Sequence, residues 1–473
     1  MKANDQLNFI FATRWEYPAL ICDERNFSYC ELYRFSSGIA LWLSARGCSA
    51  SDTVGLRLPN GWLFAAAYLA CLIGGYRIVP INPEISVEDQ SYIVARTQPK
   101  IVVEDELLLS EISSLDAVKP GFAYPDLGVA AIFFTSGTTG RPKGVCHSLE
   151  SLVGNVVSFN KAHNLDPRTR MYHVLPMAYM AGFLNTLLSP WMAGGVVLLG
   201  PRFRPADALQ FWRRPLQWQA NAIWLTPTLA SVLARMSRDP EIARQIGFNM
   251  KHVFCGMAPL PNATRKTFRD VFDCHLQESY GMSEVLLVSA QTRDEAARGT
   301  STGHLLPGLS IRTRELTEVD AKELVIYSPW CLKSYLQEEG ESSPLLSDGG
   351  MPTGDQGKLD NGQLVITGRI KDLIIRGGVN VSPVAVEEAL LRERGVEAAA
   401  VVGMPHDIWG EIIVACLVAT PGEDESILQL ALQKRCEIEL GDAMRPDRYV
   451  WLNSLPTAST GKVQKHILRI KLG

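Results

Sequence analysis

Short apolar, β-prone runs recur along this chain, each followed by a segment with helical spacing, and that alternation confines the fold to α/β architectures built on parallel sheets. A strand near Thr53 to Leu58, a turn at Pro59-Asn60-Gly61, a helix to about Ile73 and a strand from Tyr76 to Ile81 make one strand-helix-strand unit. Val196 to Leu199, Ala222 to Leu225 and His252 to Phe254 continue the pattern, as in doubly wound folds. Upstream, Phe27 to Leu32 reads FSYCEL, a short strand and turn entering a helix with Ile39, Leu41 and Leu43 on its apolar face. From about Gly303 to Leu364 the texture changes to strands and turns (LSIRTREL, ELVIYSP, QLVITG) and predicts a small β unit. After Gly368 a strand at Leu373 to Ile375, a helix near Val384 to Leu391 and strands at Ala398 to Val402 and Ile412 to Leu417 predict a compact αβ tail. The expected fold class is therefore α/β: a large N-terminal domain of doubly wound sheets with a small β unit (1–369), then a small αβ C-terminal domain (370–473), with the boundary near Arg369 to Asp372.

A chain of 473 residues exceeds what one ordinary core supports. With 47% hydrophobic residues, 20% charged and a formal net charge of −4, it lacks the basic excess of a nucleic-acid partner. Ten cysteines without a C-x-x-C pair or zinc spacing read as reduced and packed in cores, which predicts a cytoplasmic protein. Met1 to Phe11 has no apolar run of the signal-peptide kind. The longest apolar stretch, Leu63 to Ile73, falls short of the ~20 residues of a membrane span and predicts a core helix.

The run Val129 to Phe134 opens into TSGTTGRPKG, Thr135 to Gly144. Glycines let backbone N–H groups turn toward an anion, Thr135, Ser136, Thr138 and Thr139 add hydroxyl donors around Gly137, and Lys143 adds a point charge. That chemistry suits a polyphosphate. It is not a Walker A loop, because Lys143 lies between Pro142 and Gly144 with no Ser or Thr following to reach magnesium.

Three further clusters matter. QESYGMSE, Gln277 to Glu284, offers Tyr280 to stack a nucleobase, Ser283 to bond a phosphate oxygen and Glu284 to bind magnesium, a hard cation that takes one or two carboxylates. TGD, Thr353 to Asp355, precedes Gly368-Arg369, and an aspartate with an arginine beside it suits ribose hydroxyls, although TGD alone is a turn. LPTASTGKV places Lys462 on a glycine-containing turn after Pro456.

In this order, the motifs resemble the adenylate-forming superfamily of acyl-CoA synthetases, firefly luciferase and peptide-synthetase adenylation domains. The resemblance runs from FSYCEL through LPNGWLFAAAYLACLIGGYRIVPINP, TSGTTGRPKG, LPMAYMAG (Leu175 to Gly182), CGMAPLP (Cys255 to Pro261), QESYGMSE, TGD and GRIKDLIIRGGVNVSP (Gly368 to Pro383) to Lys462. It implies a two-step reaction: a carboxylate attacks the α-phosphorus of ATP, giving an acyl-adenylate and pyrophosphate, and a thiol then takes the acyl group and releases AMP. A carboxylate is already a nucleophile at neutral pH, so positioning and charge stabilisation suffice.

By the same resemblance, Lys462 bridges carboxylate and α-phosphate, Ser283 faces the α-phosphate, and Thr135, Ser136, Gly137, Thr138, Thr139 and Lys143 grip the outer phosphates. Glu284 holds magnesium, Tyr280 stacks on adenine in a pocket lined by Gly256, Ala258 and Pro259, and Asp355 and Arg369 hold the ribose. Tyr179, Met257, Gly281 and Met282 are the implied acyl pocket. The C-terminal domain is expected to be mobile: it rotates about Lys371 between the two steps, bringing Arg376 to Asn380, with Gly377 and Gly378, to a tunnel for the thiol arm.

Departures narrow the substrate. Relatives often carry His or an aromatic residue where Tyr179 stands, and amino-acid-activating ones an Asp nearby; without that Asp an α-ammonium group would be buried unpaired. Met257 replaces a glycine or alanine common in chain-accepting relatives and, unless it only fills the core, narrows the acyl channel toward a short or ring-shaped acid. The expected acceptor is coenzyme A, or else a carrier-protein phosphopantetheine or an amine. A nucleotide-binding protein without catalysis is the reading from another class, and intact Lys462 and Glu284 speak against it.

Overall fold

The computed structural model describes all residues except Glu24, 105–120, Ala123, 126–127, 136–141, Arg202, Thr300, 317–320, 338–339 and 458–462. The FSYCEL segment shows why its helix starts where it does. Ser28 accepts from the Glu31 backbone N–H while the Glu31 carboxylate accepts from the Ser28 N–H at 2.8 Å, a capping box that opens the helix Tyr29–Ala45. Ile39 and Leu43, one turn apart, are buried, but Leu41 is 53% exposed: two residues from Ile39 on a 3.6-residue period it points to the opposite side, contrary to the expected apolar face. In the next helix, Trp62–Gly74, Leu63 to Leu72 are buried without interruption, as expected of a core helix.

Two large sheets organise the molecule. In the eleven-stranded one, Pro18–Cys22, Val196–Leu199, Arg170–His173, Ala222–Leu225, His252–Cys255 and Gln277–Met282 run parallel in that spatial order, and antiparallel strands complete the far edge. In the seven-stranded one, Ala131–Thr135, Arg77–Pro80, Thr53–Leu56 and Ile101–Val103 are parallel. The helices Tyr29–Ala45, Trp62–Gly74 and Leu149–His163 bury their apolar faces in a core that takes residues from both sheets.

The β-rich region after Gly303 is not one self-contained unit. Ser310–Leu316, Ala321–Tyr327 and Met351–Pro352 form a three-stranded sheet, whereas Gln363–Arg369 and Asp355–Asp360 extend the eleven-stranded sheet and Ser334–Gln337 pairs with Lys143–His147 in the seven-stranded one. Strand propensity was legible there; which edge would take each strand was not, because pairing is decided by non-local partners.

A smaller C-terminal sheet holds Val379–Val381, Ile374–Arg376, Gly410–Ala419, Val396–His406 and Arg448–Trp451, packed with the helices Pro383–Leu391, Glu425–Met444 and Lys465–Leu472. Among the described residues no helix is long and apolar enough to cross a membrane, and no disulfide is present.

Candidate active site

A cavity of about 890 Å³ collects side chains from both large sheets and from the segment leading to the C-terminal sheet. Thr135 and Lys143 enter it as cross-strand partners at the mouth of the hairpin Ala131–Thr135/Lys143–His147. The buried strand before the loop is where the sequence put it; Ser136, Gly137, Thr138 and Thr139 lie outside the described residues.

Ser283 and Glu284 sit on the turn between the antiparallel strands Gln277–Met282 and Leu286–Ala290 and line the same cavity. Gly281 makes that turn possible, since a Cβ there would stand 2.4 Å from the Leu286 carbonyl oxygen. Two residues absent from the sequence reading hold the turn in place. His147, fully buried, donates its Nε2–H to the Ser283 carbonyl at 2.6 Å, and burial lowers its pKa to about 4, so the ring is neutral. Tyr335 donates its hydroxyl to Glu284 Oε1 at 2.7 Å, while Lys143 Nζ lies 5.4 Å from the centre of the Tyr335 ring. Burial first, and then the Glu284 charge, push the Tyr335 phenol well above its ordinary range, which keeps it a donor. A tyrosine in SYLQ and a histidine after a β-run carry no local signal; only strand pairing brings them to the turn.

The expected ribose pair forms, but with a third member. Arg369 Nε donates to Asp355 Oδ1 at 2.8 Å and the Tyr280 hydroxyl donates to Asp355 Oδ2 at 2.7 Å, so both carboxylate oxygens are engaged and the side chain is 3% exposed. Tyr280 itself does not line the cavity, and neither do Asp355, Gly256, Ala258 and Pro259; Arg369 and Lys371 do. Burial and the Asp355 charge raise the Tyr280 pKa, which keeps the proton on the phenol as the donor to Asp355. Lys371 lies on the short turn Ile370–Asp372, and burial, followed by the nearby Arg369 charge, lowers its pKa.

Tyr179, Met257, Gly281 and Met282 line the same cavity, together with the apolar side chains of Phe133, Leu184 and Trp224. Met257 adopts φ +70°, a left-handed backbone that costs an L-residue roughly 1–2 kcal/mol. Leu286, also in the lining, has φ +64°. Gly377 and Gly378 lie in the turn between Ile374–Arg376 and Val379–Val381, outside the lining, with the Trp409 ring over Gly377. Lys462 lies outside the described residues; the bridge between Thr457 and Val463 closes the segment that carries it.

These residues fit ATP and magnesium chemically. Hydroxyls and cations line one cavity, and the Glu284 carboxylate keeps one oxygen without a hydrogen bond among the described residues, in a site where a magnesium ion bound to phosphates needs only one or two carboxylates. No cluster of three or more metal-ligating side chains competes for the ion among the described residues.

Comparison with known proteins agrees with this geometry. The model of the AMP-binding enzyme family matches residues 11–336, and that of the AMP-binding enzyme C-terminal domain matches 385–462. A long-chain-fatty-acid–CoA ligase of Mycobacterium tuberculosis is 27% identical over 93% of this chain and 92% of its own length. A fatty acid–[acyl-carrier-protein] ligase of Streptomyces coeruleorubidus is 27% identical over 96% and 93%. Among solved structures, ATP-bound MatB from Rhodopseudomonas palustris superposes with a TM-score of 0.86 at 26% identity, covering 100% of this chain and 99% of that one. The chain belongs to the AMP-binding enzymes, the adenylate-forming family whose motifs its sequence carries.

Proposed function

We propose that this protein is an AMP-forming acid–thiol ligase that activates a small carboxylic acid with ATP and passes the acyl group to coenzyme A. The observation that carries this reading is one cavity whose lining combines Thr135, Lys143, Ser283, Glu284 and Arg369 with apolar side chains such as Phe133, Met257 and Trp224. The acid's carboxylate oxygen attacks the α-phosphorus and pyrophosphate leaves; a thiolate sulfur then attacks the acyl carbon and AMP leaves. Glu284 would hold magnesium, which would supply positive charge to the phosphates. Tyr335 orients the Glu284 carboxylate, His147 fixes the Ser283 carbonyl, and Lys143 faces the outer phosphates. Each Asp355 oxygen can still accept a second bond, but the side chain is buried and outside the lining, so the Tyr280 side chain must move aside for the ribose to reach it. Tyr280 would then be free to present its ring to adenine beside Gly256, Ala258 and Pro259.

We assign residues 1–369 to the nucleotide-binding domain and 370–473 to the mobile one, with Lys371 as pivot and Lys462 as the cation that bridges carboxylate and α-phosphate. In the thiol-accepting arrangement Gly377 and Gly378 line the tunnel. The CoA ligases among its relatives favour coenzyme A as acceptor, and a carrier-protein phosphopantetheine is the second acceptor because it ends in the same thiol. The cytoplasm, which supplies ATP and reduced thiols, is the matching compartment.

The test is ATP–pyrophosphate exchange over a panel of carboxylic acids, followed by thioester detection with coenzyme A, a loaded carrier protein and simple amines. Exchange without any thioester would replace the thiol by another acceptor. In the same assay Lys462→Ala is expected to lower adenylate formation about 10²–10³-fold while sparing thioester formation from supplied acyl-adenylate. Equal loss in both steps would remove the rotation argument.

A further inference from the structure

The polar side chains of the acyl end are mostly spoken for. Asn60 bonds the Leu175 carbonyl and the Met177 N–H, Asn82 bonds Tyr179 and the Glu84 N–H, and the Ser279 hydroxyl bonds the Cys255 carbonyl. Asn185 is different. It lines the cavity, is 5% exposed, and its amide makes no hydrogen bond among the described residues. It also sits on an unusual backbone: Leu184–Leu188 is a π-helical turn in which Ser189 N–H reaches back to the Leu184 carbonyl. The cause is local, because Pro190 has no N–H for the i−4 carbonyl and crowds the preceding turn, so the helix widens just before it. Such widened turns recur at ligand sites, where they re-aim a side chain.

We propose that Asn185 is a specificity-determining residue that hydrogen-bonds a neutral polar substituent, a hydroxyl or carbonyl, on the acid's end remote from its carboxylate. The proposal rests on the acid-activating reading above. The Asn185 amide opens on the cavity rather than being sealed in the core, so a substrate that displaces water from it without offering a polar group leaves it unpaired, whereas a hydroxyl or carbonyl replaces the bond to water. A second carboxylate is the wrong partner, since each cation of the lining is already placed against other groups: Lys143 lies over Tyr335, Arg369 pairs with Asp355, and Lys371 adjoins Arg369. The aromatic residues of the cavity lining, Phe133 and Trp224 among them, favour an aromatic frame carrying that substituent.

The experiment measures kcat/KM for pyrophosphate release with matched acids: phenylacetate against 4-hydroxyphenylacetate, 3-phenylpropanoate against 3-(4-hydroxyphenyl)propanoate, and hexanoate against 6-hydroxyhexanoate. The wild type is expected to prefer one hydroxylated member about 10-fold or more. Asn185→Leu is expected to abolish that preference, chiefly through the hydroxylated acid, with KM for ATP unchanged; Asn185→Ser, which puts a hydroxyl in place of the amide, should retain part of it. Thermal melts of both variants separate misfolding from lost recognition. If the wild type turns over acids without preferring any hydroxylated partner, or if Asn185→Leu lowers both members of a pair equally, the inference is overturned and the activity stands. No pyrophosphate release with any acid would overturn the activity reading and this inference with it.

Discussion

Met257 is the side chain on which the acyl-length argument turns. Its place in the cavity lining supports the expectation that it narrows the channel, and its φ of +70° gives that expectation a second arm. Glycine adopts this conformation without a Cβ penalty, so Met257→Gly loses side-chain packing but also relieves backbone strain. Opening the channel should raise relative kcat/KM for longer straight-chain acids by roughly 4-fold per accommodated methylene, from ~0.8 kcal/mol of burial each. ATP contacts come from other residues, so KM for ATP should hardly move. An unchanged chain-length profile would reduce Met257 to core packing.

Among the elements, the turn Ile370–Asp372 is the place where a two-state machine could bend. Ile370 N–H is tied to the Gly354 carbonyl at 2.9 Å, on the side of the large sheet, and the next strand, Ile374–Arg376, already belongs to the C-terminal sheet. Lys371, the proposed pivot, stands between them. Lys371→Pro fixes φ near −65° and should preserve one half reaction while lowering the other about 100-fold or more, because a misaligned domain misplaces the reacting groups. Wild-type rates for both steps, measured separately with acid plus ATP and with supplied acyl-adenylate plus thiol, would move the pivot elsewhere.

Over the whole molecule, buried histidines tie stability to pH. Burial lowers His147, His163 and His252 to about 4 and His173 to about 3, against an ordinary 6.5. The unfolded chain therefore binds protons that the folded chain refuses once the pH falls below 6.5, and stability drops from there down toward 4. Melting temperature should fall between pH 7 and pH 5, above the range where most carboxylates titrate. A flat profile over that interval would mean that these rings reach solvent or find partners on protonation.

The alternating apolar runs and the ordered motifs were enough to read the α/β class, the parallel strands and the core helix after Asn60, because burial periodicity and turn chemistry are local properties of a chain. Leu41 on the wrong face of its helix was an error of period, not of information. What the chain order did not contain were the partners. Tyr335 reaches Glu284 only because its strand pairs with Lys143–His147, His147 reaches Ser283 only because two sheets meet, and Asp355 takes Arg369 as its cross-strand partner while Tyr280 reaches it from another strand of the same sheet. The π-helical turn at Asn185 has a local cause in Pro190, but that its side chain lines the cavity is decided by the tertiary structure. Contacts between residues far apart in sequence depend on strand order and sheet packing, and these are settled when the whole core forms.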